Sequence, residues 1–310
     1  MAATTADAVS SVIPGTVSEI ETARAKINLA LHVLGRRDDG YHLLDSLVVF
    51  AEAGDTLTAS DGGAGETGFT IDGPFAAALD ATTTPGNNLV LAVANGLRAA
   101  FPEACEAGIR LDLEKRLPVA AGLGGGSADA AAALRLLNRH WQLGLSAEEL
   151  AEMGLVLGAD VPVCLASQPS RMSGIGETVV PVSGIPPMWM TLVNPGVSVA
   201  TGNVFRRLEA AERSGLPPLP EPIGPLIEFI FWLRNTRNDL FAPAAEEAPL
   251  VETAVRALAS DRDCAFARMS GSGATAFGIF MSQEAANRAA ARIQKAEPDW
   301  WVAVTRTGGS

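Results

Sequence analysis

The stretch Pro118-Val-Ala-Ala-Gly-Leu-Gly-Gly-Gly-Ser-Ala-Asp129 places four glycines, Gly122, Gly124, Gly125 and Gly126, within five residues. It runs straight into an Ala- and Leu-rich segment, Ser127–Leu137, that reads as a helix with Asp129 in its first turn. Glycine has no Cβ, so backbone N–H groups can turn toward a ligand and approach it closely. A helix start adds N–H groups with no intrahelical partner and a partial positive charge. Together these suit a phosphate chain. The expected contacts are Pro118, Ala121, Gly122, Leu123, Gly124, Gly125, Gly126 and Ser127, and the Ser127 hydroxyl is also a candidate metal ligand. No Gly-Lys-Ser/Thr follows, so this is not a Walker A loop, and the glycines are too dense for a dinucleotide fingerprint. A flexible turn capping a helix is the other reading of the same residues.

Phosphoryl transfer to an alcohol needs positioning, charge neutralisation and a group to take the hydroxyl proton. Asp160 sits in a short polar break, Gly158-Ala159-Asp160, before the apolar Val161-Pro162-Val163, and is the candidate for that last task. Lys26 lies inside an apolar strand-like segment, where a lysine is expensive to bury unless paired. Strand alternation alone would put it on a wet face; a nearby Asp160 would satisfy it if buried. Asn28, two residues on, shares its strand face. Tyr41, the only tyrosine, and His42 follow a Gly-bounded polar turn at 35–40. They could form a platform for a nucleobase or be surface aromatics.

The elements that must position these groups follow from patterning. Ile27–Leu34, Leu43–Glu52, Ile109–Leu113, Met188–Val193, Ala276–Phe280 and Trp301–Thr305 read as strands. Asn88–Phe101, Ser146–Leu157, Leu250–Ser260 and Gln283–Lys295 read as helices, the second with a capping box from Ser146 and Glu149. Five prolines in Leu216–Pro225 make that segment a loop or extended connection. Residues 1–16 read as a mobile tail. The chain of 310 residues suggests roughly two domains, and the expected division is 17–185 and 186–310.

The net charge of −12 argues against a duplex-DNA or anionic-membrane binder, since both need dense positive charge. Three cysteines with no CxxC pair exclude a disulfide framework or zinc site, and a reducing cytoplasm is expected.

The glycine loop resembles the phosphate loop of the GHMP kinases, which include galactokinase, homoserine kinase and mevalonate kinase. Ala25–Leu29, Gly40–His42, Leu157–Pro162 and Met269–Ala274 narrow the resemblance to a branch that serves isoprenoid precursor synthesis and whose alcohol substrate carries a cytidine diphosphate. The resemblance spans roughly residues 20–305. It implies an α+β fold of two domains: an N-terminal ribosomal-protein-S5-like ATP-binding domain and a C-terminal ferredoxin-like domain. It implies ATP and Mg2+ as cofactors, with Lys26 and Asp160 as the catalytic pair. Asn88 and Lys115 would lie near the nucleotide base. Asn28, Tyr41, His42, Thr201, Phe205, Gly271 and Gly273 would bind the cytidine substrate, with Tyr41 and Phe205 facing each other across its ring. The expected partners are a small-molecule substrate, no nucleic acid and no membrane, and the chain is expected as a monomer or weak homodimer. A homoserine- or mevalonate-type kinase, or a catalytically silent binding protein on the same scaffold, are the alternatives; Tyr41, His42 and Phe205 disfavour the first, and the presence of both Lys26 and Asp160 the second. The chain departs from the family pattern at Ser167–Arg171, and Leu216–Arg237 looks long enough for a lid or contact surface.

Overall fold

Two long antiparallel strands, β1 (Glu19–Arg36) and β2 (His42–Gly62), form the spine of the molecule. The computed structural model describes residues 18–63, 65–82, 88–208 and 213–308. The tail at 1–16 lies outside the described residues. Both strands run well past the apolar segments expected from sequence. Their outer ends are only half buried, as where Glu19–Arg24 pairs with Gly54–Ala59, so no apolar run marked them.

After the spine come β3 (Thr67–Asp72), α1 (Ala76–Thr82), α2 (Leu89–Ala100) and β4 (Gly108–Glu114). Then follow α3 (Gly125–His140), α4 (Ala147–Leu157), α5 (Val161–Ala166), β5 (Ser170–Gly174) and β6 (Thr178–Pro181). These strands make a first sheet in the order β3-β4-β2-β5-β6, with β1 also on β2. The rest of the chain gives β7 (Trp189–Asn194), α6 (Thr201–Arg207), α7 (Leu226–Arg234), α8 (Phe241–Glu247) and α9 (Leu250–Ala259). It closes with β8 (Cys264–Met269), β9 (Ala276–Phe280), α10 (Gln283–Ala296) and β10 (Trp301–Arg306). The second sheet has the antiparallel order β10-β7-β9-β8. With α9 after β7 and α10 after β9, that order is the split βαβ pattern of a ferredoxin-like unit.

Alternation along β2 explains how the layers meet. Val48 and Phe50 face α2 and α3, in a core with Leu111 and Ala130–Leu134. Leu47, Val49 and Ala51 face the other way, against Met190, Leu192, Phe277 and Ile279 of the second sheet. A strand covered on both faces must be apolar at every position, and Leu47–Ala51 is. The alanines of α3 leave little side-chain bulk between the helix and the spine. The apolar segment at the end of the expected lid is α7: Phe229, Ile230 and Leu233 are buried in the second core, and Trp232 Nε1 donates to Pro218 O at 2.9 Å.

Two local expectations are corrected. Helix α3 begins at Gly125, not Ser127, so Asp129 lies beyond the first turn and is buried. Its carboxylate faces a lysine below the loop and does not cap the helix. The departing segment at 167–171 leads into strand β5, and Arg171 makes a two-pronged ion pair with Asp45 at 2.7 and 2.6 Å.

Candidate active site

One cavity of about 830 Å3 collects most of the sequence-predicted residues. Its floor is the glycine loop. Gly124, with φ +64°, is the N-cap of α3 and offers no side chain to its first turn, so those N–H groups remain open to a ligand. Gly122, at φ +72°, packs so tightly that a Cβ would lie 2.4 Å from Ser270 O. Ser270 fixes this approach: its hydroxyl donates to Gly122 O at 2.9 Å and accepts the Asn28 N–H at 3.1 Å. The Ser270–Ala274 loop is therefore the wall against which the phosphate loop is folded. Pro118, Ala121, Gly122 and Gly124–Ser127 line the cavity. Leu123 does not: its side chain enters the core, and its carbonyl accepts the Lys26 N–H at 2.9 Å.

That hydrogen bond depends on a register shift in β1 between Arg24 and Lys26, which frees the Lys26 N–H from the ladder. The Lys26 stem lies across Gly124, where a Cβ would sit 3.3 Å from its Cβ and Cε. Its ammonium then pairs with Asp160 Oδ2 at 2.6 Å, the side chains being 6% and 39% exposed. The wet-face placement that strand alternation suggested for Lys26 is thus corrected: this part of β1 is covered on both faces. Asp160 occupies the N-cap position of α5, just after the Gly158 break that ends α4, and its side chain makes no capping bond. Behind the pair, burial pushes the Cys164 thiol up to about 12, so it is no nucleophile at neutral pH.

Asn28 faces the same cavity, and its amide donates to Ser46 Oγ at 2.8 Å, which fixes the side chain's orientation. At the far end, His42 and Phe205 bring their ring centroids to 5.0 Å at 33°. Tyr41 also lines this end but is 60% exposed and has no ring partner among the described residues. Burial, helped by the Arg36 guanidinium, holds the His42 imidazole below its ordinary pKa, so it is neutral at pH 7. Thr201, one turn before Phe205 on α6, joins its hydroxyl to that of Ser272 at 2.8 Å, and Gly271 lines the wall beside them. Gly273 sits one layer back, against Gly122.

Asn88 and Lys115 are engaged elsewhere. The Asn88 side chain caps α2 by accepting from Val90 and Leu91 N–H, and it does not line the cavity. Lys115 reaches the cavity wall from below, its ammonium held by Asp55 at 2.5 Å and Asp129 at 2.7 Å. Sequence reasoning passed over Asp55 altogether. Its one signal is an acid in phase with Leu57 and Ala59, the apolar positions of the same strand.

Family models extend these observations. The model described as the GHMP kinases N-terminal domain matches residues 88–168, and that described as the GHMP kinases C-terminal matches 222–299. The chain belongs to the GHMP kinases, and is an enzyme of that small-molecule kinase group. It is 47% identical to the 4-diphosphocytidyl-2-C-methyl-D-erythritol kinase of Parvibaculum lavamentivorans, over 93% of this chain and 98% of that one. It is 50% identical to the kinase of the same name from Ruegeria pomeroyi, over 91% and 96%. A crystal structure of a 4-(cytidine 5'-diphospho)-2C-methyl-D-erythritol kinase superposes with a TM-score of 0.74 at 31% identity, covering 94% of this chain and all of that one. A homoserine kinase from Cytophaga hutchinsonii, at 16% identity and TM-score 0.65, shares the fold.

Proposed function

We propose that this chain transfers the γ-phosphoryl group of ATP to the 2-hydroxyl of 4-diphosphocytidyl-2-C-methyl-D-erythritol, a step toward isoprenoid precursors. The observation that carries the reading is the Lys26–Asp160 pair beside an open helix start, in the same cavity as the His42–Phe205 ring pair. A phosphate-binding loop, a proton acceptor and an aromatic pair then share one cleft.

The triphosphate rests on Gly122–Ser127, whose N–H groups and helix start take its charge. The cytosine ring stacks on Phe205 and His42, with Tyr41 covering its outer face. Asn28 and Thr201 hold hydroxyl groups of the alcohol. Asp160 Oδ2 is engaged by Lys26, which leaves Oδ1 to accept the proton of the attacking hydroxyl. The hydroxyl oxygen bonds to the γ-phosphorus, the bond from that phosphorus to the bridging oxygen breaks, and ADP leaves with the electron pair. Lys26 orients the acceptor oxygen and offsets charge on the moving phosphoryl.

Among the described residues, no three His, Cys, Asp or Glu side chains gather into a metal cage. The hard oxygens on the cavity wall beside the helix start are the Ser127 hydroxyl and the Asp129 and Asp160 carboxylates, of which Asp129 is already engaged by Lys115. That donor set fits Mg2+, which keeps several waters and is held mainly by substrate phosphates. Ser127 would hold it, and its chemistry there is to neutralise phosphate charge. In this reading the 17–185 unit carries ATP, the 186–310 unit closes the cleft with Thr201, Phe205 and Gly271, and the soluble chain works in the cytoplasm as a monomer or weak dimer. No helix among the described residues is long and apolar enough to cross a membrane.

The test is ADP release with three alcohols: the cytidine substrate, homoserine and mevalonate. Turnover of the first alone is expected. Comparable kcat/KM on either of the others would overturn the assignment.

A further inference from the structure

A buried charge cluster lies directly below the phosphate loop, outside the catalytic pair. Asp55 of β2 is fully buried. Its Oδ1 accepts the backbone N–H of Arg116 at 2.6 Å and of Leu117 at 2.8 Å. Its Oδ2 accepts from Lys115 Nζ at 2.5 Å, and the same ammonium donates to Asp129 Oδ2 at 2.7 Å. Arg116 and Leu117 are the last residues before the loop opens at Pro118; Asp129 is in the helix that the loop enters. A Cβ on Gly125 would lie 3.2 Å from Lys115 Nζ, so the loop's last turn rests on that ammonium.

From this geometry we infer that Asp55 is a positioning residue for the triphosphate: through Lys115 and Asp129 it ties the entry and exit of the glycine loop to β2 and so sets the spacing of the phosphate-binding N–H groups. The inference rests on the reading that ATP occupies this loop. Three features support it. One lysine, held by Asp55, bridges the two sides of a ten-residue excursion that is otherwise rich in glycine. The lysine between the two acids has almost no exposed surface, so its role is internal. Its charge is firmly held, because the two carboxylates outweigh burial and keep its pKa above the ordinary lysine value. Buried ion clusters of this kind contribute little net stability, because desolvation offsets the attraction, which makes a geometric role the better account of its cost.

The experiment is calorimetric titration of the folded protein with ATP in Mg2+ and, separately, with cytidine 5'-diphosphate, for wild type, Asp55→Ala and Asp55→Asn. Asp55→Ala removes the acceptor for both N–H groups and the ion pair. It should weaken ATP tenfold or more while leaving cytidine diphosphate within twofold. Asp55→Asn keeps an acceptor for Arg116 and Leu117 and should recover part of the loss, ending about threefold weaker than wild type. If Asp55→Ala does not fold, the Asn variant carries the test alone. Equal weakening of both nucleotides, or none, overturns the clamp. Wild-type protein that binds no ATP would instead overturn the assignment of the loop, a separate failure.

Discussion

Removing the Phe205 ring tests the substrate end of the cleft most directly. Phe205 and His42 already touch, with centroids at 5.0 Å and a 33° tilt. Stacking of a base on an aromatic side chain contributes ~1–3 kcal/mol. The His42–Phe205 contact, about 0.5–1.5 kcal/mol, is already made in the free protein and does not enter that figure. At 1.4 kcal/mol per tenfold, Phe205→Ala should raise KM for the cytidine substrate by roughly 5- to 150-fold. Tyr41 is 60% exposed and meets no ring among the described residues, so Tyr41→Ala belongs at the low end of that range. The Phe205→Ala and His42→Ala losses should fall short of additivity by about 0.5 kcal/mol or more, since the two rings are in contact. KM for ATP should move less than twofold in every case, because the glycine loop lies at the other end of the cavity. The assay is steady-state kinetics with each substrate varied in turn, on the single variants and the double. Loss of ATP affinity alone would refute the placement of the base, and strict additivity would refute the ring coupling.

Asp160→Asn should keep nucleotide binding but lower kcat by ~10²–10⁴-fold, the usual contribution of a general base; near-normal turnover in a stopped assay would rule out that role. Gly122→Ala places a Cβ 2.4 Å from Ser270 O at a φ of +72°. The left-handed conformation alone costs about 1–2 kcal/mol, so its Tm should fall by several degrees in a thermal melt, and an unchanged Tm would show that the loop is not folded against Ser270. Asp129 has a folded-state pKa of about 7 against an ordinary 3.8. Between those values the folded chain keeps a proton that the unfolded chain releases, so this group's stabilisation is full below pH 4 and is lost as pH rises through 7. Urea melts of wild type and Asp129→Asn at pH 5.5 and 8 should show wild type gaining on the variant at the lower pH; parallel curves would contradict the assigned titration.

What could be read without coordinates was whatever the chain encodes locally. The α4 capping box is a three-residue signal, and the Ser146 side chain does accept the Glu149 N–H. The glycine loop announces itself because its backbone conformation demands a residue type. The Asp55–Lys115–Asp129 cluster joins residues 60 and 14 positions apart, and nothing local marks them as partners. Lys26 misled the alternation rule because the spine is covered on both faces, a property of the whole fold. Patterning starts α3 at Ser127, two residues late, because Gly125 and Gly126 are poor helix formers; they are helical because the helix starts within the loop.

The last strand of the chain closes on the first hairpin: Ala53 N–H donates to Thr305 Oγ1 at 2.9 Å, and Ala51 pairs with Thr307. During translation, the face of β2 that carries Leu47, Val49 and Ala51 therefore lacks most of its cover until the second sheet emerges from the ribosome more than a hundred residues later. A nascent chain stalled before β9 would present that apolar strip to its surroundings, with the Ser270 wall of the phosphate loop only just made or still missing. Truncated products should accordingly be sticky as well as inactive.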